Sequence, residues 1–213
     1  MNPRLGPALS VALAAALVAC TEPTPPARSA TYAFDFNGDV FSWPASRLPV
    51  RFFADPRGPM STLVARALDA WERQFLYGEF RGVLVTDSLD ADVIVRWSDS
   101  VPADVPPDPG PPVFACDGQT TFQFDSTGLT LAGPVHAEVG IQVGLSFTPA
   151  QVSACVHRIT IHEIGHAIGL LAHSPFAGDL MWASDTTALP SGSDRRTVEF
   201  LYHSTPTIAP FPR

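Results

Sequence analysis

Two histidines four residues apart, with a glutamate beside the first, constrain this chain more than any other feature. His162, Glu163 and His166 lie in the stretch HEIGHAIGLLAHS, which runs from residue 162 to residue 174. On an α-helix, residues four apart share one face, and their Cβ atoms lie about 5–6 Å apart. Both imidazoles can therefore reach one metal ion, and the glutamate lies close enough to act on a water that the ion activates. The stretch predicts a mononuclear metal site on a helix.

The context of the motif favours metal binding over a plainer alternative. That alternative is an amphipathic helix whose histidines are ordinary core or surface groups. A third histidine, His173, follows soon after Gly169, where the helix can end and the chain can turn back. Glycine readily adopts the left-handed backbone conformation that ends many helices. Three imidazoles beside a glutamate are typical of a zinc hydrolase site.

Composition and charge limit the classes of function. The chain has 213 residues, of which 46% are hydrophobic and 16% charged, as expected for one globular domain with a sizeable core. The formal net charge is −8, and no Lys/Arg cluster interrupts it. A surface of this charge repels nucleic acid and anionic membranes, so neither is an expected partner. We expect a monomer.

Residues 1–19 form a predicted signal peptide, which takes no part in the fold. Arg4 precedes an apolar run at 7–19, which is too short to span a bilayer as a stable helix. The run leads into Leu-Val-Ala-Cys at 17–20, which resembles the lipobox of bacterial lipoprotein signals. That resemblance implies cleavage before Cys20 and acylation of its sulfur, so the membrane is contacted through a lipid anchor only. The alternative is an ordinary secretory signal, and in both cases the mature bacterial protein is extracytoplasmic.

The mature chain is expected to begin with a tether and to contain one disulfide. Residues 20–30 are rich in Pro and Thr and predict an extended linker between the lipid and the domain. Two further cysteines, Cys116 and Cys155, do not form a Cys-x-x-Cys pair. In an oxidising compartment they most simply bond to each other. The alternative is a pair of buried free thiols.

Hydrophobic periodicity predicts an α+β (mixed α/β) fold with one domain at 31–203 and a flexible Pro-rich tail at 204–213. Asn37-Gly38 predicts a tight hairpin turn, and Ser61 can cap the first long helix. Strands are expected at 48–54, 80–86, 91–97 and within 120–143, and helices at 61–76, 149–169 and 193–202.

HEIGHAIGLLAHS followed by Asp179-Leu180-Met181 resembles the metzincin zinc metallopeptidases, and among them the bacterial matrixin-like members. Met181 is the candidate for the methionine of the Met-turn. The likeness extends over 48–202 in element order. It implies a twisted, mainly parallel sheet with two long helices, one of them the zinc helix, then the Met-turn and a short C-terminal helix. The positions that match the family signature one by one are His162, Glu163, His166 and Gly169.

The third histidine departs from the family pattern by one residue. The signature places it three residues after the glycine, where this chain has Ala172, and the histidine follows at 173. An extra residue beyond the helix end can be absorbed in the turn, so His173 is the expected third ligand. The alternative is a carboxylate, Asp179 or Asp185, with the histidine left at the surface.

The resemblance implies an endopeptidase that binds one catalytic zinc ion and cleaves extracytoplasmic proteins. Glu163 would be the general base, and Met181 a hydrophobic floor under the histidines rather than a ligand. An extended protein or peptide substrate is expected along an edge at 135–143, with a pocket wall at 182–189. Calcium occurs in animal matrixins, but no clear ligand cluster supports it here.

Two other functions stay open at this point. One is a zinc-binding or adhesive surface lipoprotein with little catalysis, against which the intact Glu163 argues. The other is an amidase or peptidase that acts on cell-wall peptides. The sequence carries no feature that identifies the substrate.

Overall fold

The computed structural model describes residues 28–98, 116–141, 148–183 and 187–213, without the side chains of residues 116, 141, 149 and 151. The predicted signal peptide, Cys20 and Asp185 lie outside these ranges. Within them, no helix is both long enough and apolar enough to cross a membrane.

A five-stranded, mostly parallel sheet forms the centre of the fold. The strands are β1 (Val50–Ala54), β2 (Gly82–Val85), β3 (Val93–Ser98), β4 (Cys116–Thr121) and β5 (Val135–Ile141). Their order in the sheet is β2-β1-β3-β5-β4, and β4 alone runs antiparallel, against β5. Val50, Phe52, Val93 and Val95 are fully buried, as expected for strands that are covered by helices.

The run at 135–143 was expected to form an edge of the sheet, and that prediction is wrong. β5 lies between β3 and β4, and among the described strands β4 is the one at the edge. Val135, Ala137 and Val139 are fully buried, so the alternating pattern correctly identifies the covered face of the strand. Alternation reports which face is buried and carries no information about which strands lie on either side.

In the described part of the chain, three α-helices accompany the sheet: α1 (Met60–Glu72), α2 (Pro149–Ala167) and α3 (Gly192–Leu201). α1 and α2 pack against each other, and the Trp71 indole N–H donates to the carbonyl of Ile161 at 2.8 Å. α2 also packs on β4 and β5. The mixed α/β architecture with two long helices and a short closing helix agrees with the predicted fold class.

The details of the helix and turn signals are partly confirmed. Asn37 and Gly38 have φ of 56° and 90°, as a tight hairpin turn requires, although the hairpin is a single bridge between Phe36 and Asp39.

Ser61 lies inside α1, whose N-cap position is Pro59 with no side-chain cap, so the predicted cap is wrong. The error is one of register, because cap residues cannot be distinguished from first-turn residues by type alone.

Residues 204–213 were expected to be a flexible tail, and the structure shows them packed on the domain instead. Ile208 is buried, and its N–H donates to the carbonyl of Val40 at 3.0 Å. Ala209 exchanges backbone contacts with the segment around Leu129. The prolines hold the segment extended, and the apolar residues between them find partners that are distant in the sequence.

A buried ion-pair cluster joins the end of this segment to the sheet. The Asp92 carboxylate, fully buried before β3, accepts from the Arg47 guanidinium at 2.8 Å and from the backbone N–H of Arg51 at 2.8 Å. Arg213 also donates to it. The Arg47 guanidinium in turn donates to the carbonyl of Phe211 at 2.8 Å and lies over the phenyl ring.

We expect Asp92→Ala to lower the free energy of unfolding by about 3–5 kcal/mol, because it leaves the Arg47 cation buried without its partner. Chemical denaturation of the full-length protein measures this loss. The matched control is Asp69→Ala, which breaks a pair with Arg73 whose side chains are 60% and 74% exposed. That variant should lose less than about 1 kcal/mol. Equal losses in the two variants would contradict the assignment of Asp92 as a structural anchor.

Candidate metal centre

The end of α2 determines where the third histidine lies. α2 stops at Ala167, and Gly169 follows with φ of 118°. A Cβ at Gly169 would come within 2.1 Å of the Phe41 carbonyl oxygen, so both the conformation and the close packing require glycine. The chain turns there and returns His173 towards the helix.

The three histidines meet at one point. The Nε2 atoms of His162 and His166 are 3.1 Å apart, and those of His166 and His173 are 3.3 Å apart. One nitrogen from each ring lies within 4.8 Å of the other two, so the group could hold a metal ion. Because the extra residue lies in the turn beyond Gly169, it does not rotate the histidine away from the cluster.

Backbone carbonyls orient two of the rings. His162 Nδ1 donates to the Leu180 carbonyl at 2.8 Å, and His166 Nδ1 donates to the Leu170 carbonyl at 2.5 Å. Protonation at Nδ1 leaves the Nε2 lone pair of each ring directed at the common point. This arrangement is the usual support for histidines that bind metal.

Burial also keeps the imidazoles neutral. It lowers the pKa of His162 to about 4 and lowers the pKa of His166 well below its usual range, with a further contribution from the neighbouring rings. Burial lowers the pKa of His173 as well. Neutral imidazole is the form that binds a metal ion, and three such nitrogens fit zinc.

The Glu163 side chain, on the residue after His162 in α2, is buried and lies against β4. Its Oε2 accepts from the Thr120 hydroxyl at 2.7 Å, and the same hydroxyl lies 3.0 Å from the Glu163 carbonyl oxygen. A Cβ at Gly118 would lie 2.5 Å from both Cγ and Oε1 of the glutamate. The sequence motif did not identify these two β4 residues. A glycine within a strand is a general signal of close approach, but it does not name the partner.

Asp179 belongs to the framework of the loop and lies outside the metal cluster. Its buried carboxylate accepts from the Ser174 hydroxyl at 2.5 Å and from the Ser191 hydroxyl at 2.6 Å. Both carboxylate oxygens are thus used to join the His173 loop to the start of α3. The other carboxylate alternative, Asp185, lies outside the described residues.

Met181 is fully buried beneath α2. A Cβ at Gly165 would lie 2.5 Å from the Met181 sulfur and 2.7 Å from Cζ2 of Trp71. The absence of a side chain at this helix position therefore lets the methionine and the indole pack directly against the backbone between the two histidines.

Asp194 organises the segment that carries Met181, and the sequence interpretation missed it. Its fully buried carboxylate accepts from the backbone N–H groups of Leu180 at 2.9 Å and Ser191 at 2.7 Å, and from the Tyr32 hydroxyl at 2.7 Å. Burial and this carboxylate raise the pKa of Tyr32. The Ser191-x-x-Asp194 capping box at the start of α3 is a local signal, but the contact with Leu180, and through it with His162, is not.

The cysteines are described only in part. Cys155, on α2, is disulfide-bonded. The side chain of Cys116, at the start of β4, and all of Cys20 lie outside the described atoms. The pairing of Cys116 with Cys155 stays a prediction, as does the lipid on Cys20.

Comparison with known proteins adds no relative to this description. No protein-family model matches the chain, and no curated protein matches it. The likeness to metzincins therefore rests on the sequence motif.

We expect His173→Ala to weaken zinc binding by more than about a hundredfold, since altering the groups that merely support a ligand already costs about 10–100-fold. Asp179→Asn should keep its zinc, because its carboxylate lies outside the cluster. Metal analysis and competition with a chromophoric chelator measure both variants. Zinc retained in the histidine variant and lost in the aspartate variant would move the third ligand to the carboxylate.

Proposed function

We propose that the protein is a zinc-dependent endopeptidase that cleaves extracytoplasmic proteins. The observation that carries this proposal is the meeting of three neutral imidazoles, those of His162, His166 and His173. The buried Glu163 directly follows the first of them on α2. Three protein ligands leave a fourth position open, which distinguishes catalytic zinc sites from structural ones. A buried acid beside such a site is suited to moving a proton.

In this proposal the side chains of the site have separate roles. The three histidines would hold the ion, which when bound would lower the pKa of water towards neutrality and polarise a carbonyl group. Glu163 would accept a proton from the attacking water and deliver it to the leaving amine. The hydrogen bond from Thr120 would keep the carboxylate in one orientation during both transfers.

We further propose that the chain is a metzincin of the bacterial matrixin-like kind. The mostly parallel sheet, the two long helices and the short closing helix α3 are compatible with this family. The burial of Met181 beneath the histidine helix supports it further. The positions of His162, Glu163 and His166 on α2, and of Gly169 in the turn that follows, also support it.

An extended peptide would bind along β4 rather than along 135–143. Among the described strands β4 pairs only with β5, so its outer edge can receive another strand. Strand addition gives affinity through main-chain hydrogen bonds and suits substrates of varied sequence. β4 also contacts Glu163, so a peptide bound there would pass the reacting groups. The proposed pocket wall at 182–189 is only partly described, since 184–186 lie outside the described residues.

The proposed location is the cell envelope, through a lipid on Cys20 or by secretion. The disulfide at Cys155 supports an oxidising compartment, because structural disulfides are rare in the cytoplasm. The protein or peptide substrate is the only partner that the proposal needs.

We expect Glu163→Gln to bind zinc normally and to hydrolyse peptides about 10²–10⁴-fold more slowly, because the amide cannot accept the proton. The measurement uses the purified full-length protein with casein and, in parallel, with peptidoglycan. The control is Glu138→Gln, which changes an exposed glutamate on β5 and should be as active as the wild type.

Undiminished turnover in the Glu163 variant would refute the general-base assignment. Release of peptides from peptidoglycan without cleavage of casein would transfer the activity to cell-wall peptides. A zinc-loaded wild type that cleaves neither substrate would favour a binding protein.

A further inference from the structure

We propose that Thr120 is a positioning residue that fixes the Glu163 carboxylate from the edge strand β4. The inference rests on the proposed hydrolytic function for its catalytic consequence. The contact itself belongs to the fold and can be tested without activity.

The hydroxyl of Thr120, which has one proton to donate, lies within hydrogen-bond distance of both ends of one residue. It lies 2.7 Å from Glu163 Oε2 and 3.0 Å from the Glu163 carbonyl oxygen, and both atoms are acceptors. A hydroxyl that donates to a carboxylate forms a charge-assisted bond, which is shorter and stronger than a neutral one. Threonine is branched at Cβ, so its χ1 angle is restricted and the donor points in a set direction.

Gly118 provides the second contact between β4 and the Glu163 side chain. It stands two residues before Thr120 and therefore on the same face of the strand. A Cβ there would overlap Cγ, Cδ and Oε1 of Glu163, at 2.5–2.7 Å. The glutamate side chain thus lies directly on the strand backbone at Gly118, while its other oxygen is bound by the hydroxyl two residues later.

The sheet fixes the position of the two β4 residues that contact Glu163. β4 pairs with β5 over its whole length, with Thr120 opposite Ala137, and β5 pairs in turn with β3. A glutamate side chain has three rotatable torsions, and burial alone does not select one rotamer. The bond to Thr120 selects the rotamer in which the carboxylate lies against β4.

This contact links the position of the base to the position of the substrate. In the proposed function the peptide adds to the outer edge of β4, and the same strand holds Glu163 from its face. One rigid element would therefore set both partners of the proton transfer. A displacement of about 1 Å between such partners can cost about a hundredfold in rate.

The test compares two substitutions that differ in one group. Thr120→Val removes the hydroxyl while keeping the shape, and Thr120→Ser keeps the hydroxyl. We expect the valine variant to lose about ten- to a hundredfold in kcat, with KM and zinc content unchanged, and the serine variant to stay close to the wild type. Thr86→Val, an exposed position after β2 on the far edge of the sheet, is the control and should have wild-type kcat. Wild-type kcat in Thr120→Val, or an equal loss in Thr120→Ser, would overturn the inference.

A second measurement needs no catalysis. Thr120→Val is made in the wild type and in Glu163→Ala, and the midpoint of chemical denaturation is measured for all four proteins. We expect the valine substitution to lower the midpoint clearly in the wild type and much less where the carboxylate is missing. Equal shifts would show that the hydroxyl serves only the backbone carbonyl, which refutes the inference. Unequal shifts in a protein that hydrolyses nothing would keep the contact and reject the proposed function.

Discussion

The hydrogen bonds of the Asp194 carboxylate are the interactions on which the geometry of the candidate metal centre most depends. The carboxylate binds Tyr32 from the beginning of the domain, the backbone of Leu180, and Ser191 at the start of α3. The Leu180 carbonyl then accepts from His162 Nδ1. Removal of one donor leaves a buried carboxylate oxygen without a hydrogen bond, which costs free energy. The three segments therefore stabilise one another. The orientation of the first histidine is therefore a property of the complete fold.

The four groups of the centre are positioned by three kinds of element. Helix periodicity places His162 and His166 on α2, the turn after Gly169 places His173, and β4 holds Glu163 through Thr120. The imidazoles of His162 and His166 and the Glu163 carboxylate thus each have a hydrogen-bond partner outside α2. Contacts of this kind fix the side chains before any ligand binds.

The parts that sequence predicts well are the ones determined by local structure. The spacing of His162 and His166 follows from the helix repeat, and the end of the helix follows from Gly169. The parts that it predicts poorly depend on pairing between distant residues. The tail around Ile208 contacts Val40, and Arg213 contacts Asp92, so their proline-rich surroundings gave the wrong expectation of mobility. The same limitation explains why 135–143 was assigned to the edge of the sheet.

The extra residue before His173 shows how local and distant constraints combine. Inside a helix one inserted residue rotates every later side chain by about 100°, which would remove a ligand from the site. Here the insertion follows Gly169, where the left-handed backbone has already ended the helix and the periodicity no longer applies. Beyond that point the loop is fixed by Asp179, which binds Ser174 and Ser191. The contacts of the loop, rather than the count of residues, therefore determine where the third imidazole lies.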